Sequence, residues 1–143
     1  MVDILLKIKS LFDIEGTGTI LDATLKINPV LQSYNDNLSL RDTLNVYAID
    51  NNNNITQQLT YSDGSAVQAI LNKTDQEFNN IYYALPFGTY VEELLNSQTD
   101  DIQAFALLPN NYQSSVDRMV IYGNTNTSYK IELNLIYTVY DED

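Results

Sequence analysis

The sequence predicts a mainly β fold, an antiparallel β-sandwich of about seven to nine strands with an amphipathic helix at its start and short helices in its middle. An α+β arrangement is the alternative. Three observations point this way. Several segments alternate apolar and polar residues with period two, and clusters of Asn, Asp, Gly and Pro separate them. The chain carries 11 Tyr and is 44% hydrophobic, a composition suited to strands packed on a core. Its 143 residues make one ordinary domain. The expected division is a helical arm over residues 1–15 and a single β-rich domain over 16–143.

Ile4, Leu5, Ile8, Leu11 and Phe12 form the apolar stripe of a helix, opposite Asp3, Lys7 and Ser10. These five apolar residues are the candidate interface, an arm that packs on a neighbour. The stretch has no basic leader segment, and Lys7 and Lys9 interrupt its apolar run, so it reads as mature sequence. Gly16 and Gly18 then break the helix.

Residues 20–27 set Leu21, Ala23, Leu25 and Ile27 on one side and Asp22, Thr24 and Lys26 on the other, and Asn28-Pro29 ends this strand. Tyr34-Asn35-Asp36-Asn37 reads as a loop. Residues 43–49 and 55–61 flank Asp50-Asn51-Asn52-Asn53-Asn54, a hairpin signal because Asn and Asp tolerate left-handed backbone. Asp63-Gly64-Ser65 closes the hairpin.

The middle of the chain has two readings. Capping-box patterns recur at Ser65 with Gln68, Thr74 with Glu77 and Thr89 with Glu92. The second precedes Phe78, Ile81, Tyr82 and Leu85 at helical spacing, which predicts a helix over 75–85 ended by Pro86. The competing reading makes 80–85 a strand, Pro86-Phe87-Gly88 a turn and 89–95 another strand. Further on, residues 102–108 alternate as a strand stopped by Pro109-Asn110-Asn111. Residues 116–122 and 128–140 form a long hairpin across 123–127. The last strand turns apolar on both faces toward its end, so burial on both sides is expected there.

Composition excludes much chemistry. There is no His and no Cys, so zinc fingers, Ser-His-Asp triads, haem or iron–sulfur ligation and disulfides cannot be built. With 7 basic against 19 acidic residues, the net charge of -12 is the wrong sign for gripping a nucleic-acid backbone. The chain holds 17 Asn but only 5 Lys, so neutral polar residues stand where cations could have stood. An acidic surface both keeps a protein soluble and repels a polyanion passing beside it. No stretch approaches the roughly 20 apolar residues that span a bilayer.

A carboxylate pair is the enzyme chemistry that remains, and it requires two acids about 5–10 Å apart across a cleft. Glu92-Glu93 and Asp100-Asp101 are adjacent in sequence, so their side chains diverge on either a helix or a strand. Solvated charge is the better account of both. Asp50, Asn52 and Asn54 have the opening spacing of a calcium loop, but Ile55 and Tyr61 stand where that loop needs Gly and Glu. A polar hairpin tip is the simpler reading. Gly16-Thr17-Gly18 lacks the further Gly and Lys of a phosphate-binding loop. Four Asn-X-Ser/Thr triplets are at the level expected by chance in an Asn-rich chain. The tyrosines offer large amphipathic contact area, and with no Trp in the chain they favour protein contact over sugar stacking.

No motif matches a family residue by residue. At the level of class, this acidic, Asn- and Tyr-rich chain without His or Cys, strand-rich in its second half, resembles the small structural proteins of tailed bacteriophage virions. The resemblance carries no site. It implies a non-enzymatic subunit, a homo-oligomer held to itself and to other virion structural proteins in a capsid, neck or tail. That subunit would be assembled in the host cytoplasm, with no cofactor, no metal, no membrane and no tightly bound nucleic acid. The alternative function is a carbohydrate-binding or adhesin β-sandwich that uses Tyr and Asn near hairpin tips such as residues 51–54 and 124–127.

Overall fold

Residues that alternate in the sequence become strands, and the strands hydrogen-bond into one antiparallel sheet. The computed structural model describes residues 2–4, 17–31, 34, 39–50, 52–91, 104–114, 119–123 and 125–140. Among them are eight strands: β1 (Val2–Ile4), β2 (Thr17–Ile27), β3 (Thr43–Ile49), β4 (Ile55–Gln58), β5 (Gln68–Asp75), β6 (Asn80–Pro86), β7 (Ala104–Leu108) and β8 (Glu132–Tyr140). Their order is β1-β7-β3-β5-β6-β2-β8, with β4 paired to β3, and the pairings are antiparallel throughout. Among the described residues, helical backbone occurs at Gln76–Phe78 and at residues 88–91. The predicted antiparallel β fold is therefore what these residues form.

One face of the sheet makes the core. Ala23, Leu25 and Ile27 of β2, Leu44 and Val46 of β3, Ala69 of β5, Tyr83 and Leu85 of β6, and Phe105 and Leu107 of β7 are buried together, with Ile131, Leu133 and Leu135 packed against them. The sheet must bend to do this. β6 and β7 are three places apart, about 14 Å in a flat sheet, yet Phe87, just after β6, and Phe105 of β7 meet edge to face at 5.0 Å between ring centres. A second cluster covers the opposite face of β3 and β7: Ile49, Ala106 and Leu108, under Tyr47, Ile55, Ala104 and Tyr112. The turn after β7 folds back to supply Tyr112, whose ring meets Tyr47 at 5.7 Å.

β2 follows its predicted alternation with one break. The register shifts between Ile20 and Asp22, leaving Leu21 as the extra residue of a β-bulge. Ile20 then packs on the core, and Leu21, expected inside, is 62% exposed. Past Ile27 the strand ends as expected. Asn28 turns its side-chain amide inward to donate to the Ile81 carbonyl at 3.0 Å, which satisfies a buried polar group.

The β3–β4 hairpin forms where the Asn run predicts it. Asp50 Oδ1 accepts hydrogen bonds from the Asn52 and Asn54 N–H groups at 2.8 and 2.9 Å, and Asn53 adopts φ 62°. β4 is shorter than expected. Beyond it the chain leaves the sheet between Thr60 and Ala66, turning at Gly64 with φ 83°. That positive φ is where glycine is required.

Three expectations are corrected. Residues 75–85 do not form a helix: Asn80–Pro86 is a strand paired with β5, and the turn between them closes at Asn79 with φ 57°. Ile81, Tyr82 and Tyr83 are strand formers, and alternation buries Ile81, Tyr83 and Leu85 in a way helical spacing would not. The competing strand over 89–95 fails at its start, because residues 88–91 are helical and the Val91 N–H donates to the Phe87 carbonyl. Of the hairpin expected between 116–122 and 128–140, residues 116–118 lie outside the described residues and the rest pairs otherwise. The N–H groups of Val30 and Tyr122 donate to the carbonyls of Val120 and Asn28, while β8 pairs with β2. Among the described residues β8 therefore stands at the edge of the sheet, and Ile136 and Tyr137, expected buried, are exposed.

The first residues bear on the predicted arm. Val2–Ile4 is a strand against β7, with Ile4 opposite Phe105, so Ile4 does not begin a helix. Leu5, Ile8, Leu11 and Phe12 lie outside the described residues.

Candidate functional site

A constellation of polar and aromatic groups surrounds a hollow where the bent sheet meets the excursion after β4. Three segments build it. β4 runs out through Gln57, Gln58 and Leu59 to Thr60 and Tyr61; the β2 bulge delivers Leu21 and Asp22; and Pro86 to Tyr90 crosses the end of β6. Together they line a groove of about 380 Å³.

Its floor is fixed by the core. Leu59 is held by its N–H to the Val46 carbonyl at 2.8 Å, and the Val67 N–H donates to the Leu59 carbonyl at 2.9 Å. Phe87 donates its N–H to the Ala23 carbonyl at 2.7 Å and is buried. Phe87, Tyr90 and Phe105 form an edge-to-face triad with centre distances of 4.6 to 5.3 Å. Such a triad is rigid, and it seats Tyr90 at the groove with little rotamer freedom left to lose.

The walls are polar and nearly uncharged. Gln57, Gln58, Thr60 and Thr89 present amides and hydroxyls, Tyr61 an exposed ring, and Asp22 the one ionisable acid of the lining. Asp22 Oδ2 accepts a bond from the Thr24 hydroxyl at 3.3 Å. A lining of this kind suits a neutral ligand with many hydroxyls, and among the described residues it offers no cation to an anion.

Nearby, Asp63 braces the excursion. Its Oδ1 accepts the Ser65 hydroxyl at 2.6 Å and the Ser65 N–H at 2.9 Å, and these bonds, the hydroxyl first, hold its carboxyl below the usual 3.8. Asp50 is lowered in the same way, chiefly by the Asn54 N–H. Tyr83 is shifted upward: burial is the main cause and the charge of Asp42 the second, and its hydroxyl donates to the Arg41 carbonyl at 2.6 Å. It locks β6 to the chain that enters β3.

The sequence-based candidates do not meet in this groove. Asp50, Asn52 and Asn54 sit on the hairpin tip with Asp50 engaged by its own turn. Of the second tip, Asn126 accepts the N–H groups of Ser128 and Tyr129, and Tyr129 stacks on Tyr122 at 5.0 Å. Glu92, Glu93, Asp100 and Asp101 lie outside the described residues. Among the described residues, no three His, Cys, Asp or Glu side chains gather to hold a metal ion, and no helix is long and apolar enough to cross a membrane. The groove residues escaped sequence reading because no spacing joins them. They meet only after the sheet bends, and the bulge that turns Leu21 outward leaves no mark in the alternation.

The outer face of β5, β6, β2 and β8 is a second candidate. Ile70 and Ile136 are exposed there at 57% and 56%. Thr24, Ala84 and Pro86 stand around Ile70, and Lys26 sits 4.2 Å over the Tyr82 ring, whose hydroxyl accepts from the Asn72 amide. The comparisons with known proteins give no family: no family model, no curated protein and no solved structure matches the chain.

Proposed function

We propose that this protein is a non-enzymatic structural subunit of a multi-copy assembly, a component of a tailed-phage virion in its capsid, neck or tail. The fold would serve as a β-sandwich, one sheet folded over its own core, whose bare outer layer meets neighbours. The observation that carries this reading is the pair of unlike faces. β3 and β7 are covered on both sides, whereas the outer face of β5, β6, β2 and β8 leaves Ile70 and Ile136 exposed. An uncovered sheet face is a surface on which a neighbour can bury apolar area. Many copies sum modest interfaces into a stable particle, and the charge of -12 keeps free subunits dispersed and DNA unbound.

Sedimentation velocity over a range of concentrations, with co-sedimentation on assembled particles, tests the reading. Self-association or retention on the particle is expected. A monomer at every concentration that leaves the particles unoccupied would overturn it.

The groove favours a second reading, a carbohydrate-binding module in which Tyr61 stacks on a neutral glycan and Gln57, Gln58 and Asp22 accept and donate to its hydroxyls. Glycan-array binding that Tyr61→Ala abolishes is the expected result. An array without hits removes this reading and leaves the first untouched.

A further inference from the structure

The two edges of the sheet are protected to different degrees. Among the described residues β1 presents 3, too few to template another strand, whereas β8 presents 9. Natural edges are blunted with Lys, Pro, a bulge or an inward charge. The β8 sequence Glu-Leu-Asn-Leu-Ile-Tyr-Thr-Val-Tyr contains no Lys, Arg or Pro, and the bulge in its pairing with β2 falls on the β2 strand. Among the described residues, no strand pairs with its outer edge. Among the described residues, its backbone N–H and C=O groups on that side, obligatory hydrogen-bonding groups, meet no partner, and they stand beside an exposed isoleucine and an exposed tyrosine.

Resting on the assembly reading, we propose that β8 pairs antiparallel with β8 of a second copy about a twofold axis through Ile136, which joins two sheets into one. The strand's own sequence selects partner, direction and register. Glu132 is its single charged residue and lies at one end. Antiparallel pairing about Ile136 puts the two Glu132 side chains at opposite ends of the ribbon, about 27 Å apart along it, whereas parallel pairing would set them side by side. Centred on Ile136, the register sets Ile136 opposite the partner's Ile136, Leu135 opposite the partner's Tyr137, and Asn134 opposite the partner's Thr138. Moving the axis to Leu135 or Tyr137 would set Ile136 against Asn134 or Thr138 and lose the apolar pair. A self-complementary patch of this kind closes as a dimer and does not propagate. The bare outer faces of two copies then become one continuous surface for further contacts.

The chain has no Cys, so a single introduced thiol reports the axis. Residues facing each other across an antiparallel pair have Cα atoms about 4.5–5.5 Å apart, within disulfide reach. Under diamide, which takes up the two electrons and two protons released by two thiols, Ile136→Cys should cross-link to dimer at least tenfold faster than Ile70→Cys. Ile70 is equally exposed on the same outer face, so it controls for accessibility. In sedimentation equilibrium, Ile136→Lys should raise the dimer dissociation constant at least tenfold, while Phe78→Lys, in the exposed turn between β5 and β6, leaves it unchanged; circular dichroism checks that both variants keep the fold. Equal cross-linking rates, or an Ile136→Lys protein that dimerises like the parent, would overturn β8 pairing. If such a protein still assembles on particles, the assembly reading stands while the β8 interface falls.

Discussion

The strand pairs β3–β7 and β2–β8 share one sheet but live in different surroundings. β2–β8 is the longer ladder, with strands of 11 and 9 residues against 7 and 5. It is nonetheless the less buried. Phe105 and Leu107 of β7 enter the main core while Ala106 and Leu108 enter the second cluster, so this short strand is covered on both faces. In β8, Leu133 and Leu135 are half-buried and Ile136 is exposed. Ladder length therefore says little about burial. What the short segment Ala-Phe-Ala-Leu-Leu has, and β8 only imitates, is a covering layer for its second face: the turn that folds Tyr112 back over Tyr47.

The contrast breaks most directly by truncation. Phe105→Ala should destabilise the protein by about 3–5 kcal/mol, because it empties a site in a triad of rings that cannot close over the gap. Leu135→Ala, at a half-buried position on the other pair, should cost about 1–2 kcal/mol in proportion to the smaller apolar area it withdraws from water. Urea unfolding of the two variants gives the comparison. Equal costs would mean that β8 is covered as fully as β7.

Next in size is Tyr83, on the strand that joins the two regions. Removing its hydroxyl in Tyr83→Phe takes a hydrogen bond from the Arg41 carbonyl and should cost about 1 kcal/mol near neutral pH. The cost should depend on pH. Burial first, and Asp42 second, raise the folded-state pKa of this phenol above the ordinary 10.0. A raised value means that the folded protein holds the proton more tightly than the unfolded chain. The contribution of Tyr83 is then complete below pH 10 and is lost as pH rises through the folded value. Above pH 10 the stability of the parent should fall toward that of Tyr83→Phe. Parallel pH profiles for the two proteins would show that Tyr83 ionises as freely in the fold as out of it.

These contrasts also mark what could be read from the sequence. β2, β3, the Asp50 turn, β7 and β8 were legible because alternation and turn chemistry are local. β5 was not, because Ser65 and Gln68 mimic a helix cap, although Val67, Ala69 and Leu71 alternate toward the core. The 80–86 segment carried both periods, and Asn79 decided for a hairpin by accepting left-handed backbone. Residues 119–122 read as one arm of a hairpin, yet their partners are Asn28 and Val30, some ninety residues away, and no local pattern names such a partner. The apolar second face of β8 was visible, but not whether anything would lie on it. The groove was invisible for the same reason: Asp22, Gln58 and Tyr90 come from strands and turns that meet only in the bent sheet.

On the uncovered face, Ile70→Thr should change unfolding free energy by less than about 0.5 kcal/mol, because a side chain already in water has little burial to lose. A cost near that of Leu135→Ala would mean that something covers Ile70 in the free protein, and the distinction between the two regions would weaken.

The smallest effect separates the turns, one in each setting. Asp50 links β3 to β4 beside the doubly covered pair, and Asp63 braces the excursion at the groove. Both carboxyls are held below 3.8 by local hydrogen bonds, with Asp50 half-buried and Asp63 exposed. A depressed folded-state value contributes stability above the unfolded pKa and loses it as pH falls through the folded value. Asp63→Asn and Asp50→Asn keep an acceptor oxygen but cannot titrate, so the stability difference from the parent should be constant above pH 3.8 and shrink below it. Because the bonds are made within each turn, the two acid profiles should have the same shape despite their different neighbours. If only the Asp50 profile bends, the hydrogen bonds of the Asp63 turn do not persist in solution, and the groove wall it supports is less ordered than the β3–β4 hairpin.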